Sequence, residues 1–101
     1  MSTLTLDPDL FRALAEPTRI QILGELIRAG GSANVSGIAA QVDVDTSVVS
    51  RHLRELVRAG ALDVERRGRE RWYTLQLDHL IEHFSALTHQ LQQLKAGLPC
   101  C

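Results

Sequence analysis

The fold is decided by the stretch VSGIAAQVDVDTSVVSRHLREL, residues 35–56, together with LDVERRGRERWYTLQL, residues 62–77. The first stretch predicts a short helix, a tight acidic turn and a longer helix that Asp45 caps. The second predicts an antiparallel hairpin, because apolar residues alternate on both sides of a turn at Gly68. The fold class we predict is mainly α with a β-hairpin wing: a winged helix-turn-helix, dimeric, that reads duplex DNA.

Two more helices are predicted before this stretch. Asp7 followed by Pro8 is an N-cap with proline at the first helical position, and Pro17 begins the next helix. The glycine pair at 30–31 ends that helix, and residues 32–34 are predicted to be a polar connector. The whole chain, 1–101, then forms one domain. Its parts are a helix-turn-helix at 35–59, a wing at 61–77, a dimerisation helix at 78–95 and a cysteine tail at 98–101.

The last predicted helix has apolar residues at spacings of four, three, four and three, which is typical of a seam between paired helices. These residues are Leu80, Phe84, Leu87, Leu91 and Leu94. A chain of 101 residues also leaves much apolar surface uncovered unless it pairs with a copy of itself. We therefore expect a homodimer.

Charge is distributed unevenly along the chain. The formal net charge is −1, which argues against a generally adhesive polycation. Seven of the eleven Lys and Arg residues nevertheless lie within residues 51–71, beside only four acidic residues. The basic surface is therefore local, as a phosphate-facing surface should be.

The longer helix carries polar and basic residues opposite its apolar face. In helix-turn-helix proteins the first residues of the second helix reach base edges in the major groove. We predict base contacts from Thr46, Ser47, Ser50 and Arg51. Arg54 lies further along and is predicted to touch a phosphate, or only to solvate the helix.

The wing carries four arginines, which are Arg66, Arg67, Arg69 and Arg71. They are predicted to follow backbone phosphates or to enter the adjacent minor groove, and so to give salt-dependent affinity rather than sequence choice. Taken alone, an arginine-bearing hairpin is often only a soluble turn. The order of helix, turn, helix and hairpin in one chain favours the DNA-binding interpretation.

With these elements the chain resembles the ArsR/SmtB family of winged-helix metal-responsive repressors. The matching stretches are FRALAEPTRIQIL at 11–23, SVVSRHLRELVRAGAL at 47–62 and RRGRERWYTL at 66–75. The resemblance implies a homodimer with the first and last helices at the interface. It also implies an inverted-repeat operator that is released when an inducer binds. Position by position, it places Thr46, Ser47, Ser50 and Arg51 among the base-reading residues and the arginines of 67–71 in the wing.

Many family members have a cysteine motif at the start of the first helix of the helix-turn-helix, where this chain reads Asn-Val-Ser-Gly at 34–37. The first candidate for inducer binding is therefore the vicinal pair Cys100 and Cys101. Thiolates select soft, thiophilic ions. Two adjacent sulfurs suffice for a methylated trivalent arsenical, whereas inorganic As(III) needs a third donor. A thiol redox switch is the alternative function for the pair. A third interpretation is that the terminal cysteines are incidental and have no function.

A zinc-type site on the last helix is a further alternative. Its candidate ligands are Asp78, His79, His83 and His89, of which His79 and His83 share a helix face. Their order and spacing depart from the family's usual pattern, and surface histidines are often only solvated.

Nothing in the sequence predicts an enzyme or a required cofactor. No Gly-rich phosphate loop and no convincing pair of nucleophile and base occur in it, and His52 is predicted to pack rather than to catalyse. The N-terminus lacks the features of a signal peptide, and no apolar run is long enough to span a bilayer. We expect a cytoplasmic protein without a membrane partner.

Overall fold

The computed structural model describes residues 6–97. In that range the chain forms five helices and three strands. The helices are α1 Pro8–Leu14, α2 Pro17–Arg28, α3 Val35–Val42, α4 Thr46–Arg58 and α5 Leu77–Gly97. The strands are β1 Ser32–Asn34, β2 Leu62–Arg67 and β3 Glu70–Leu75. The predicted mainly helical architecture with a hairpin wing is confirmed.

The core lies where α1 to α4 meet one end of the sheet. Each element contributes its periodic apolar residues, and the largest side chains that are fully buried are Leu10, Ile22, Leu26, Ile38, Leu53, Leu56, Leu62 and Val49. The turn between α3 and α4 contains Asp43 in the left-handed conformation, with φ of 53°. An aspartate tolerates this conformation better than most residues, because its short polar side chain can bond locally.

The wing is part of a three-stranded antiparallel sheet of order β1-β3-β2. Residues 32–34, predicted as a connector, form β1 and pair with β3, with Ala33 opposite Tyr73. The prediction was wrong because a three-residue strand is too short for an alternating pattern, so only its partner reveals it. The hydroxyls of Ser32 and Thr74, 3.0 Å apart, add a cross-strand hydrogen bond.

Of the two predicted side-chain caps, the one on α1 is present and the one on α4 is not. Asp7 caps α1 by accepting a hydrogen bond from the Asp9 backbone nitrogen at 3.0 Å. Asn34 caps α3 through the Gly37 nitrogen at 2.9 Å. Asp45 stands at the N-cap of α4, but its exposed side chain makes no capping hydrogen bond, contrary to prediction. Only its backbone carbonyl accepts, from Val48 and Val49.

The last helix, α5, projects from the rest of the chain. It begins one residue earlier and ends two residues later than predicted, and none of its 21 residues is buried. Its first half rests on the domain through Leu80 and through Phe84, whose ring lies 5.4 Å from that of Phe11 on α1. In residues 6–97 no helix is long and apolar enough to cross a membrane.

Candidate nucleic-acid interface

The exposed face of α4 carries the predicted base-reading residues. Thr46, Ser47 and Arg51 are exposed and Ser50 is half-buried, so none of these side chains lies in the packed interior. Arg54 follows on the same face and is exposed. The first two turns of the helix therefore offer hydroxyls and a guanidinium to an external ligand.

The opposite face of α4 is anchored to the core. Val49, Leu53 and Leu56 are fully buried there. Beside them, half-buried His52 accepts a hydrogen bond at Nδ1 from Arg19 Nε of α2 at 3.2 Å. Arg19 also donates to the Ala13 carbonyl at 3.2 Å, so it ties α4 to the end of α1. This is the packing role predicted for His52, and it holds α4 in a fixed orientation.

The register of the wing sorts its arginines onto two faces. Arg66 of β2 stands directly opposite Arg71 of β3, and Val64 stands opposite Tyr73 two residues away. Since side chains two residues apart share a face of a strand, these four residues form one face of the hairpin. This face turns towards α4.

A groove of about 330 Å³ separates that face from α4. Arg66, Arg71 and Glu65 line it from the wing, and Ser50 and Arg54 line it from the helix. The Glu65 carboxylate is engaged by Arg67, so the arginines are the groove's free charges among these five residues. Directly opposed like charges destabilise a pair of strands. The opposed arginines are therefore unfavourable for the hairpin by itself and suited to an anion that enters the groove.

On the other face of the hairpin, the charge of the arginine is balanced by an acidic neighbour. Arg67 donates from Nε to Glu65, and its guanidinium lies 4.8 Å from the centre of the Trp72 ring. Glu70 accepts a hydrogen bond from the Asn34 side chain at 3.1 Å, which ties the tip to β1. Arg69 is exposed beside Gly68 at the turn.

The structure thus brings four of the predicted residues together and separates others. Ser50, Arg54 and Arg71 share the groove with Arg66, whereas Arg67 lies on the far face. The sequence predicted the wing arginines as one group. The period-two alternation counted outward from a two-residue turn at Gly68 and Arg69 divides them, because it pairs Arg66 with Arg71 and places Arg67 on the other face.

Titratable residues of α5 form a second cluster, away from the groove. His79 and His83 lie together with Asp7 of the α1 cap, and one ligand atom from each lies within 4.8 Å of the others. Asp78 and His89, the other residues of the predicted zinc-type set, are exposed and do not belong to this cluster. Cys100 and Cys101 lie outside the described residues.

Comparisons with known proteins agree with this geometry. A family model described as a helix-turn-helix domain matches residues 14–65. The chain is 30% identical over 91 residues to the HTH-type transcriptional regulator KmtR of Mycobacterium tuberculosis, a match that covers 90% of this chain and 68% of that protein. It is 31% identical over 85 residues to a transcriptional repressor SmtB homolog of Synechocystis sp., covering 84% of this chain.

Comparison with solved structures also points to a transcriptional regulator. A solved structure described as a possible transcriptional regulator for arsenical resistance matches with a TM-score of 0.68 at 30% identity, over 95% of this chain and 100% of that chain. The chain belongs to the ArsR/SmtB family of helix-turn-helix transcriptional regulators. This ArsR/SmtB chain spans 63% of the length of the Synechocystis relative.

The family model ends at residue 65. It therefore covers α2 to α4 and the start of the wing, but not Arg66, Arg71 or α5.

Proposed function

We propose that this chain is a DNA-binding transcriptional repressor that binds an inverted-repeat operator as a homodimer. One observation carries the proposal: Ser50 and Arg54, on the polar face of α4, border the same groove as the opposed Arg66 and Arg71 of the wing. A major groove accepts one helix, and the phosphates beside it require cations at the helix flank. The wing provides those cations.

The roles within the interface follow from chemistry and position. Arg51 can pair in bidentate fashion with the O6 and N7 atoms of a guanine, and the hydroxyls of Thr46, Ser47 and Ser50 can donate or accept. Arg54, Arg66 and Arg71 are assigned to phosphates, where they give affinity without sequence choice. Arg69, exposed at the tip of the wing, is assigned to the adjacent minor groove.

The homodimer is supported by an open apolar groove of about 650 Å³ between α2 and α5. It is lined by Leu23 and Ile27 from α2 and by Leu77, Ile81 and Phe84 from α5. Contiguous exposed apolar surface on a soluble domain marks an interaction site. Ile81 and Ile27 are 58% and 62% exposed, so burial against a second copy would remove a large apolar area from water.

For the inducer we propose trivalent arsenic, inorganic or methylated, or a similar thiophilic metalloid bound by Cys100 and Cys101. The soft thiolate pair supports this assignment, and so does the similarity to the structure described as a regulator for arsenical resistance. Release requires that the ligand favour a dimer whose recognition helices are not about 34 Å apart, the separation of consecutive major grooves. A ligand that bound both forms equally would release nothing.

The DNA-binding proposal is tested by fluorescence anisotropy with a labelled fragment from upstream of the chain's own gene. We expect saturable binding that weakens steeply as salt rises and that an unlabelled random duplex competes for poorly. Binding that ignores salt, or equal competition by random DNA, would contradict the proposal.

The inducer proposal is tested with the operator complex and a panel of arsenite, methylated arsenite, antimonite, zinc, mercury and peroxide. Metalloid release should disappear in the double variant Cys100→Ser/Cys101→Ser. Release of that variant at the same metalloid concentration would exclude the tail. Release by peroxide alone, reversed by dithiothreitol, would instead identify a thiol redox switch.

A further inference from the structure

The N-terminal end of α1 and the first turns of α5 meet at Asp7, His79 and His83. One ligand atom from each lies within 4.8 Å of the others, and the two imidazole rings are 4.4 Å apart between centroids and tilted by 58°. Two imidazoles and one carboxylate are the donor set of borderline divalent cations such as Zn²⁺, Co²⁺ and Ni²⁺. The cluster belongs to one subunit and uses a carboxylate from a different helix.

Two of the three side chains are already oriented. Asp7 Oδ1 accepts from the Asp9 backbone nitrogen, which fixes the carboxylate and leaves Oδ2 as a further acceptor. His83 Nδ1 lies 3.0 Å from the His79 carbonyl oxygen. Since a carbonyl only accepts, Nδ1 carries the proton and Nε2 presents a lone pair. Metal-ligating histidines are commonly held by such a bond through their other nitrogen.

The third side chain, His79, lacks a partner. Its Nε2 atom is buried and has no hydrogen bond within residues 6–97. The ring packs against Gly60, where a Cβ atom would lie 3.1 Å from Nε2. A buried polar atom left without a hydrogen-bond partner is destabilising, because it has lost its contacts with water. Coordination of a cation through Nε2 would remove that destabilisation.

We propose that Asp7, His79 and His83 form an intrasubunit site for a borderline divalent cation, with a fourth position left for water or another donor. Ligands at about 2.0–2.1 Å from a tetrahedral ion stand about 3.4 Å apart. The site is distinct from the set Asp78, His79, His83 and His89 predicted from spacing along α5.

The position of the site suggests what it controls. His79 rests on Gly60, the residue that ends the recognition helix α4 with φ of +84°. Next to the site, Phe11 of α1 contacts Phe84 of α5. A bound cation would therefore fix α1, α5 and the end of α4 relative to one another. This regulatory role depends on the proposed function, whereas the site itself does not.

The site is tested by titrating the full-length protein with Co²⁺ and recording its visible absorption, in a Cys100→Ser/Cys101→Ser background that excludes thiolate ligands. We expect one Co²⁺ per subunit and intense tetrahedral bands without thiolate charge transfer. Asp7→Asn, His79→Gln and His83→Gln should each weaken binding by about 100-fold or more, beyond the 10–100-fold typical of losing an outer-shell partner. Asn caps a helix as well as Asp, so Asp7→Asn spares α1.

The matched controls are Asp78→Asn and His89→Gln, which remove a carboxylate and an imidazole from the same helix but not from the cluster. Each should stay within about threefold of the parent. The proposal is overturned if the controls weaken binding as much as the cluster variants do. It is equally overturned if the parent binds no Co²⁺ at micromolar concentration. Circular dichroism establishes that each variant is folded.

A separate measurement tests the regulatory role. Zn²⁺ should change operator affinity by at least about tenfold in the cysteine-free background, and His83→Gln should abolish that change. An unchanged affinity with intact Co²⁺ binding would refute the regulation and leave the site standing. A chain that binds Co²⁺ but no DNA would refute the proposed function instead.

Discussion

The recognition helix α4 and the last helix α5 are held in opposite ways. Three residues of α4 are fully buried, and a hydrogen-bonded arginine and histidine pin its centre to α2. No residue of α5 is buried, and Ile81, Leu91 and Leu94 are each more than half exposed. The chain therefore orients α4 by its own contacts, whereas the outer part of α5 keeps apolar residues exposed that the proposed dimer would bury.

The largest effect expected is on stability. Leu53→Ala in α4 should lower the free energy of unfolding by about 2–5 kcal/mol, because it leaves a cavity in the core. Leu91→Ala in α5 removes the same atoms from an exposed site. Urea denaturation at several protein concentrations should show a loss for Leu91→Ala that varies with concentration, as expected of a residue buried only in the dimer. If both variants lost the same free energy of unfolding at every protein concentration, the proposed difference between α4 and α5 would be wrong.

The second prediction concerns assembly. Ile81→Asp places a charge in the open apolar groove, which should convert the dimer to monomer in analytical ultracentrifugation. Operator affinity should fall by about 100-fold or more, since the second half-site no longer adds to the first. The exposed Asp63→Asn substitution on β2 is the control. A dimer that survives Ile81→Asp would place the interface elsewhere.

The third prediction separates base reading from charge on α4. Arg51→Ala should cost about 1–3 kcal/mol on the operator and relax the preference at one base pair. Arg58→Ala, at the far end of the same helix and 3.5 Å from Glu55, should weaken binding less and equally for all sequences. Competition with single-base operator variants measures the difference. Equal effects of the two changes would mean that α4 does not read bases from its start.

The fourth prediction uses the two faces of the wing. Arg71→Ala should lower the slope of log affinity against log salt by about one, because one phosphate contact is lost. Arg67→Ala, whose guanidinium is already engaged by Glu65 and Trp72, should leave that slope nearly unchanged. If Arg67→Ala lowered the slope and Arg71→Ala left it unchanged, the face of the hairpin that carries Arg67 would be the one that contacts DNA.

The smallest effect expected concerns the helix caps. Asn34→Ala should destabilise the domain by about 1 kcal/mol, because Asn34 caps α3 through Gly37. Asp45→Ala should change stability by less than about 0.5 kcal/mol, since the Asp45 side chain makes no capping bond. Thermal unfolding distinguishes them, and a larger loss for Asp45→Ala would contradict the structure.

Sequence periodicity predicted the five helices and the hairpin because each carries its own apolar repeat or turn residue. It missed β1, which only its pairing with Trp72, Tyr73 and Thr74 defines. It also missed Asp7 as a neighbour of His79. Those residues are more than seventy positions apart, and the packing of α1 on α5 that joins them leaves no local signal.

The measurement that tests the central claim most directly is a hydroxyl-radical footprint of the operator complex. Two copies that present α4 and the wing to consecutive major grooves should protect two symmetric patches centred about 34 Å apart, or 10–10.5 base pairs. A single protected patch, or an operator left fully accessible at low salt, would contradict this account.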